Sequence, residues 1–136
     1  MIPIPPLGTC EVVIDFNPSS VATITDTLTV SYNDGVTGQS VPRGLTGQGV
    51  NPALLTITDA AGFDFGQRAD GSFNDHTFTV NNSGSVAATS FGQENPLVAP
   101  FSYKSGTFPG AGGTCSALVS VGSSCTLVVS YNPVGL

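Results

Sequence analysis

Three cysteines, a single histidine and a run of aspartates are the side chains whose type and spacing best suit chemistry in this chain. Cys115 and Cys125 are separated by nine residues, with Val121-Gly122-Ser123-Ser124 lying between strand-like segments. That spacing allows a local disulfide. The bond would contribute about 2–3 kcal/mol by restricting the unfolded chain. The alternative is a pair of buried free thiols. Cys10 is left over and either stays free or pairs between molecules. A structural zinc needs about four Cys or His ligands at close spacing, and His76 is the only histidine. His76 stands beside Asp75 in Asn74-Asp75-His76-Thr77, and no Gly-x-Ser-x-Gly elbow occurs, so a Ser-His-acid triad is not expected either. It is expected as an exposed residue at the start of a strand. Asp64, Asp70 and Asp75 fall within Asp64–His76. Asp-Gly loops can supply oxygen ligands to Ca²⁺, but this spacing matches no EF-hand loop. A solvated turn is the expectation, with no cofactor and no metal.

Composition narrows the functional classes further. Charged residues make up 9% of the chain, far below the usual quarter. Its polar surface must therefore come from Ser, Thr, Asn, Gln and Gly, a bias common in secreted β-sandwiches. The net charge is −6, and the three basic residues Arg43, Arg68 and Lys104 are scattered. Such a chain cannot grip a phosphate backbone, so no nucleic acid is expected. No apolar run approaches the length that crosses a bilayer as a helix. The start, Met1-Ile2-Pro3-Ile4-Pro5-Pro6, lacks the basic and apolar regions of a signal peptide. Sugar-binding sandwiches commonly stack sugars on exposed rings, most usefully Trp. There is no Trp. Tyr103 and Phe101 are the aromatic residues on which glycan binding by loops would depend.

The elements that must position these groups read as strands. Glu11–Phe16 is short and β-rich and is ended by Asn17-Pro18. Thr23–Tyr32 alternates, with Ile24, Asp26, Leu28 and Val30 on one parity and threonines on the other, the pattern of a strand with one buried face. Asn33-Asp34-Gly35 is a turn. Ser40–Leu45 returns as a strand that Pro42 confines to an edge or bulge. Thr46 to Pro52 is punctuated by Gly and Pro and is the expected linker. Beyond it, strands are expected at Leu54–Thr58, Phe63–Gly66, His76–Asn81, Ala87–Phe91, Phe101–Lys104, Ala117–Ser120 and Thr126–Tyr131. Asn82-Ser83-Gly84-Ser85 is expected as a turn and Pro109–Gly113 as a loop. Asn81-Asn82-Ser83 is formally a glycosylation sequon and is read as part of that turn. No stretch keeps helical periodicity free of Gly, Pro or β-branched residues. The expected class is all-β, an immunoglobulin-like antiparallel β-sandwich built from many short strands.

The most specific feature is an internal repeat. Residues 10–21 read CEVVIDFNPSSV and residues 125–136 read CTLVVSYNPVGL. Cys, one Val, Asn and Pro are identical at matched positions. Val12/Leu127, Ile14/Val129, Phe16/Tyr131 and Val21/Leu136 are conservative. The copies start at positions 10 and 125, an offset of 115 residues, which suits one Ig-like domain with its linker. Three segments are therefore expected. Residues 1–9 form a Pro-rich start, 10–49 carry the closing strands of one module, and 50–136 carry the opening strands of the next. Cys10 matches Cys125, so the partner equivalent to Cys115 would fall just outside the chain.

The order Pro52…LTIT…FDFG…TFTVNNSGS…PF…C…GSSCTLVVSYNP, preceded by DTLTVSY…LTGQGV, resembles bacterial Ig-like surface repeats of the choice-of-anchor D type. Those are similar to ASPM–SPD-2–Hydin domains and to major sperm protein and PapD-like sandwiches. The resemblance covers nearly the whole chain and rests most on Phe63–Gly66, Thr77–Ser85, Cys125–Pro133 and Leu45–Val50. It implies a sandwich repeated in large secreted or surface-anchored bacterial proteins, generally without enzymatic activity and with no transferable catalytic site. The chain departs from the pattern in phase, because the DTLTVSY…GLTGQGV tail stands upstream.

That phase predicts an unfinished sheet. Residues 52–136 would end at Thr126–Tyr131 with an open edge. Residues 21–49 would supply the missing neighbours, either by folding back within the chain or by donation to another copy. Donation would give head-to-tail self-association, a form of β-augmentation. The expected function is a non-catalytic structural repeat, acting as spacer, fibre or adhesin stalk on an extracellular bacterial surface. The competing expectation is a module that binds a surface ligand or glycan.

Overall fold

The computed structural model describes residues 3–59 and 61–135. Met1 and Ile2 of the Pro-rich start, Ala60, and the last position of the repeat, Leu136, lie outside them. The chain divides into two compact units, Met1–Val50 and Asn51–Leu136. No α-helix occurs among the described residues, and every strand pairing is antiparallel.

In the first unit, the alternating stretch becomes β1 (Thr23–Asn33), which pairs along its full length with β2 (Gly38–Gln48). The turn between them is held by its own side chains. The Asn33 Oδ1 accepts from the Gly35 N–H at 2.8 Å. The Asp34 Oδ1 accepts from the Val36 and Thr37 N–H groups at 2.8 Å, and its Oδ2 from the Gln39 amide at 2.9 Å. The Thr37 and Val36 amides, then Gln39, hold the Asp34 carboxyl below its ordinary pKa. Gly35 takes φ 99°, a conformation that glycine adopts without strain. Pro42 sits opposite Thr29. A proline is tolerated there because each strand of a two-stranded sheet has a free edge. Thr46-Gly47-Gln48, expected in the linker, are the last residues of β2.

Two expected strands do not form. Residues 10–17 belong to no strand, although Glu11–Phe16 has strand composition. Propensity alone does not make a strand; it needs a partner ladder, and among the described residues this unit has only the hairpin. Phe63–Gly66 is likewise a loop. Asp64 Oδ1 accepts from the Gly66 N–H at 2.7 Å and Gly66 takes φ 68°, which turns the chain there.

Among the described residues the second unit holds six strands: β3 (Leu55–Ile57), β4 (Asn74–Asn82), β5 (Ala88–Thr89), β6 (Phe101–Tyr103), β7 (Leu118–Val119) and β8 (Ser124–Tyr131). A 3₁₀ turn at Lys104–Gly106 follows β6. One sheet has the order β3-β4-β8-β6, and a small second sheet joins β5 to β7. The register sets Phe78 opposite Leu127 and Val80 opposite Cys125. Those side chains meet Val119 of β7 and Ala88 of β5, so the two sheets face each other across one core.

The expected open edge at Thr126–Tyr131 is corrected by this topology. β8 is central: β4 lines one edge and β6 the other. Where β6 ends, the chain returns along the same edge. The Val128 N–H donates to the Pro109 carbonyl at 2.8 Å and the Thr114 N–H to the Thr126 carbonyl at 2.9 Å. The loop at Pro109–Gly113 makes this return possible. Gly110 is buried at φ 91°, and a Cβ there would run into the Val128 carbonyl.

The core is small. Its buried apolar residues are Phe65, Val80, Cys115, Val119, Cys125, Leu127 and Val128, all in Asn51–Leu136. Among the described residues the first unit buries no apolar side chain; its one buried residue is Gly49. A core of this size has little stability to spare, and small scaffolds of this kind commonly rely on a covalent staple.

Candidate functional site

The hairpin of the first unit has two chemically different faces. Residues directly opposite in an antiparallel pair project to the same side. One face therefore carries Ile24, Leu28, Val30 and Tyr32 from β1 with Val41 and Leu45 from β2, interrupted by Asp26, Arg43 and Gln39. The opposite face carries Thr23, Thr25, Thr27, Thr29 and Ser31 facing Gln48, Thr46, Gly44, Pro42 and Ser40. Away from its Ile24 end the apolar side is exposed: Val30 is 41% exposed, Tyr32 53% and Val41 55%. At its Ile24 end another segment packs on it. There the Phe16 ring crosses Gly47, where a Cβ would come within 2.5 Å of the ring. Ile14, Phe16, Ile24 and Leu45 line a groove at this end, with the Asp15 and Asp26 carboxylates beside them.

The segment before the hairpin compounds the exposure. Val13 and Val128 are the same residue at matched positions of the repeat, yet Val13 is 84% exposed and Val128 6%. Val12 is 58% exposed and its counterpart Leu127 9%. In β8 this sequence is paired along both edges, whereas residues 10–17 have no ladder. One strand motif therefore occurs twice, once inside a sheet and once without one.

Cys115 and Cys125 are joined by a disulfide inside the core, and Cys10 is a free, exposed thiol. The three aspartates do not converge. Asp64 caps its own loop at Gly66, Asp75 forms an ion pair, and no cluster of three or more metal-ligating side chains occurs among the described residues.

His76 is not the exposed residue expected at a strand start. It lies within β4, stacks on Phe63 with ring centroids 3.5 Å apart, and shares a 2.9 Å hydrogen bond with the Asp59 carboxylate. Strand register turns it to the core side with Phe78, where Phe65, Phe101 and Tyr131 complete an aromatic cluster. The rings expected to serve a sugar are thus engaged with one another. Phe101 packs on Phe65 and Tyr131, and Tyr103 packs edge-on against Phe108. Burial raises the Tyr103 phenol above its ordinary pKa.

On the other face of the same sheet, the Ser130 hydroxyl donates to Asp75 Oδ1 at 2.6 Å and the Lys104 ammonium meets Asp75 Oδ2 at 2.9 Å. Ser130 first, then Lys104, hold the Asp75 carboxyl below its ordinary value of 3.8. A carboxyl with a depressed folded pKa stabilises the fold above its unfolded pKa, and the contribution is lost as pH falls through the folded value. Asp75→Asn is therefore expected to cost about 1 kcal/mol at pH 7, the range for a partly exposed pair with one charged hydrogen bond. Urea unfolding at pH 7 and pH 3 checks this, with the gap to wild type closing at the lower pH. Asp75 lies in β4, Ser130 in β8 and Lys104 directly after β6, so this triplet ties three neighbouring strands together.

One organising residue was not legible as such in the sequence. Asn82, which has the setting of a turn and a sequon, is 1% exposed and ends β4 inside the core. Its Oδ1 accepts from Leu54 N–H at 3.2 Å and Gly84 N–H at 3.0 Å. Its Nδ2 donates to the Val86 carbonyl at 2.9 Å and the Val119 carbonyl at 3.0 Å.

No family of proteins, no curated protein and no solved structure matches this chain.

Proposed function

We propose that the chain is a non-catalytic structural repeat of the choice-of-anchor D type, out of phase with its module boundaries, in an extracellular bacterial surface protein. One observation carries this reading: the motif that forms central strand β8 recurs at residues 10–21, ahead of a hairpin on which Val30, Tyr32 and Val41 are exposed. A repeat whose second copy is an integral strand implies a module of about 115 residues that recurs along a longer array. Its role is then length, stiffness and contact with like modules, as spacer or stalk.

Other features support the setting. A disulfide in a small core suits an oxidising compartment. The hydroxyl-rich, weakly charged surface suits a secreted sandwich, and no helix among the described residues is long and apolar enough to cross a membrane. The aromatic rings being packed together argues for a structural role over glycan capture.

The labelled full chain is expected to show no saturable binding on a glycan array. Saturable binding that disappears in Tyr103→Ala or Phe101→Ala would replace this reading with that of a ligand-binding adhesin module.

A further inference from the structure

We draw no further inference here: the strongest candidate, the groove in which the Phe73 ring, 76% exposed, stands beside Asp75, Ser102, Lys104 and Ser130, takes its charged groups from the strand-tying triplet already described, and nothing in the structure shows what covers the ring.

Discussion

Replacing Asn82 by alanine is expected to destabilise the second unit by about 3–5 kcal/mol, enough to leave a large fraction unfolded at 37 °C if its stability is typical of small domains. The side chain makes four hydrogen bonds, all to backbone groups: two N–H donors, Leu54 and Gly84, and two carbonyls, Val86 and Val119. Those groups belong to the approach to β3, the bend after β4 and strand β7, so one amide ties both sheets together. Removing it strands buried donors and acceptors, which costs more than the bonds themselves contribute. Asn82→Asp separates this from loss of packing volume. It keeps the acceptor for Leu54 and Gly84 but sets a second carboxylate oxygen against two carbonyls. The introduced carboxyl would have a raised folded pKa, so its protonated form is the one the fold tolerates. The deficit relative to wild type is then smallest below about pH 4, the unfolded value, and grows as pH rises. Denaturant unfolding of the full chain at pH 3.5 and pH 7 measures it. A loss under 1 kcal/mol for Asn82→Ala at neutral pH would mean that the network is not a determinant of the fold.

Removing the disulfide should come next in size. Cys115 and Cys125 are ten positions apart, and both are buried in the core. Opening a loop of that length returns entropy to the unfolded chain worth about 2–3 kcal/mol. For a unit of this size the melting temperature should fall by roughly 10–20 °C. The double substitution Cys115→Ala and Cys125→Ala, compared with wild type by calorimetry, checks this. Reduction should be slow under native conditions, because a reductant must reach sulfurs at 5% and 9% exposure. Cys10→Ser, at an exposed free thiol, should leave the melting temperature unchanged. Free thiols at positions 115 and 125 in protein isolated under alkylating, non-reducing conditions would contradict an oxidising setting.

Much of the fold was legible because strand signals are local. The alternation of Thr23–Tyr32, the Asn-Asp-Gly turn after it, and the apolar runs at His76–Asn81 and Thr126–Tyr131 each place a strand or turn where one occurs. Elements that depend on a distant partner were less legible. Glu11–Phe16 has the composition of β8 and no ladder. Phe63–Gly66 has strand-like rings but is bent by a local cap and a left-handed glycine. The edge of β8 was expected to be open because nothing in Phe101–Thr114 announces that this stretch returns beside it.

The candidate surface divides in the same way. The apolar parity of the hairpin can be counted off residue by residue, and the repeat at 10–21 and 125–136 can be aligned by eye. That Asn82 is a buried hub cannot, since in sequence it looks like any turn asparagine. Its role comes from four backbone groups as far away as Val119.

Taken alone, the order of residues determined the all-β class, the positions of the main strands, the two-faced hairpin and the duplicated strand motif, because each depends on side-chain alternation or identity over a few residues. Tertiary structure alone decided which copy of the motif lies within a sheet, how both edges of β8 are sealed, and how much of the hairpin's apolar face is left exposed. Those outcomes depend on hydrogen-bond partners and packing surfaces supplied from tens of residues away. A strand's own sequence carries no record of whether such partners are present.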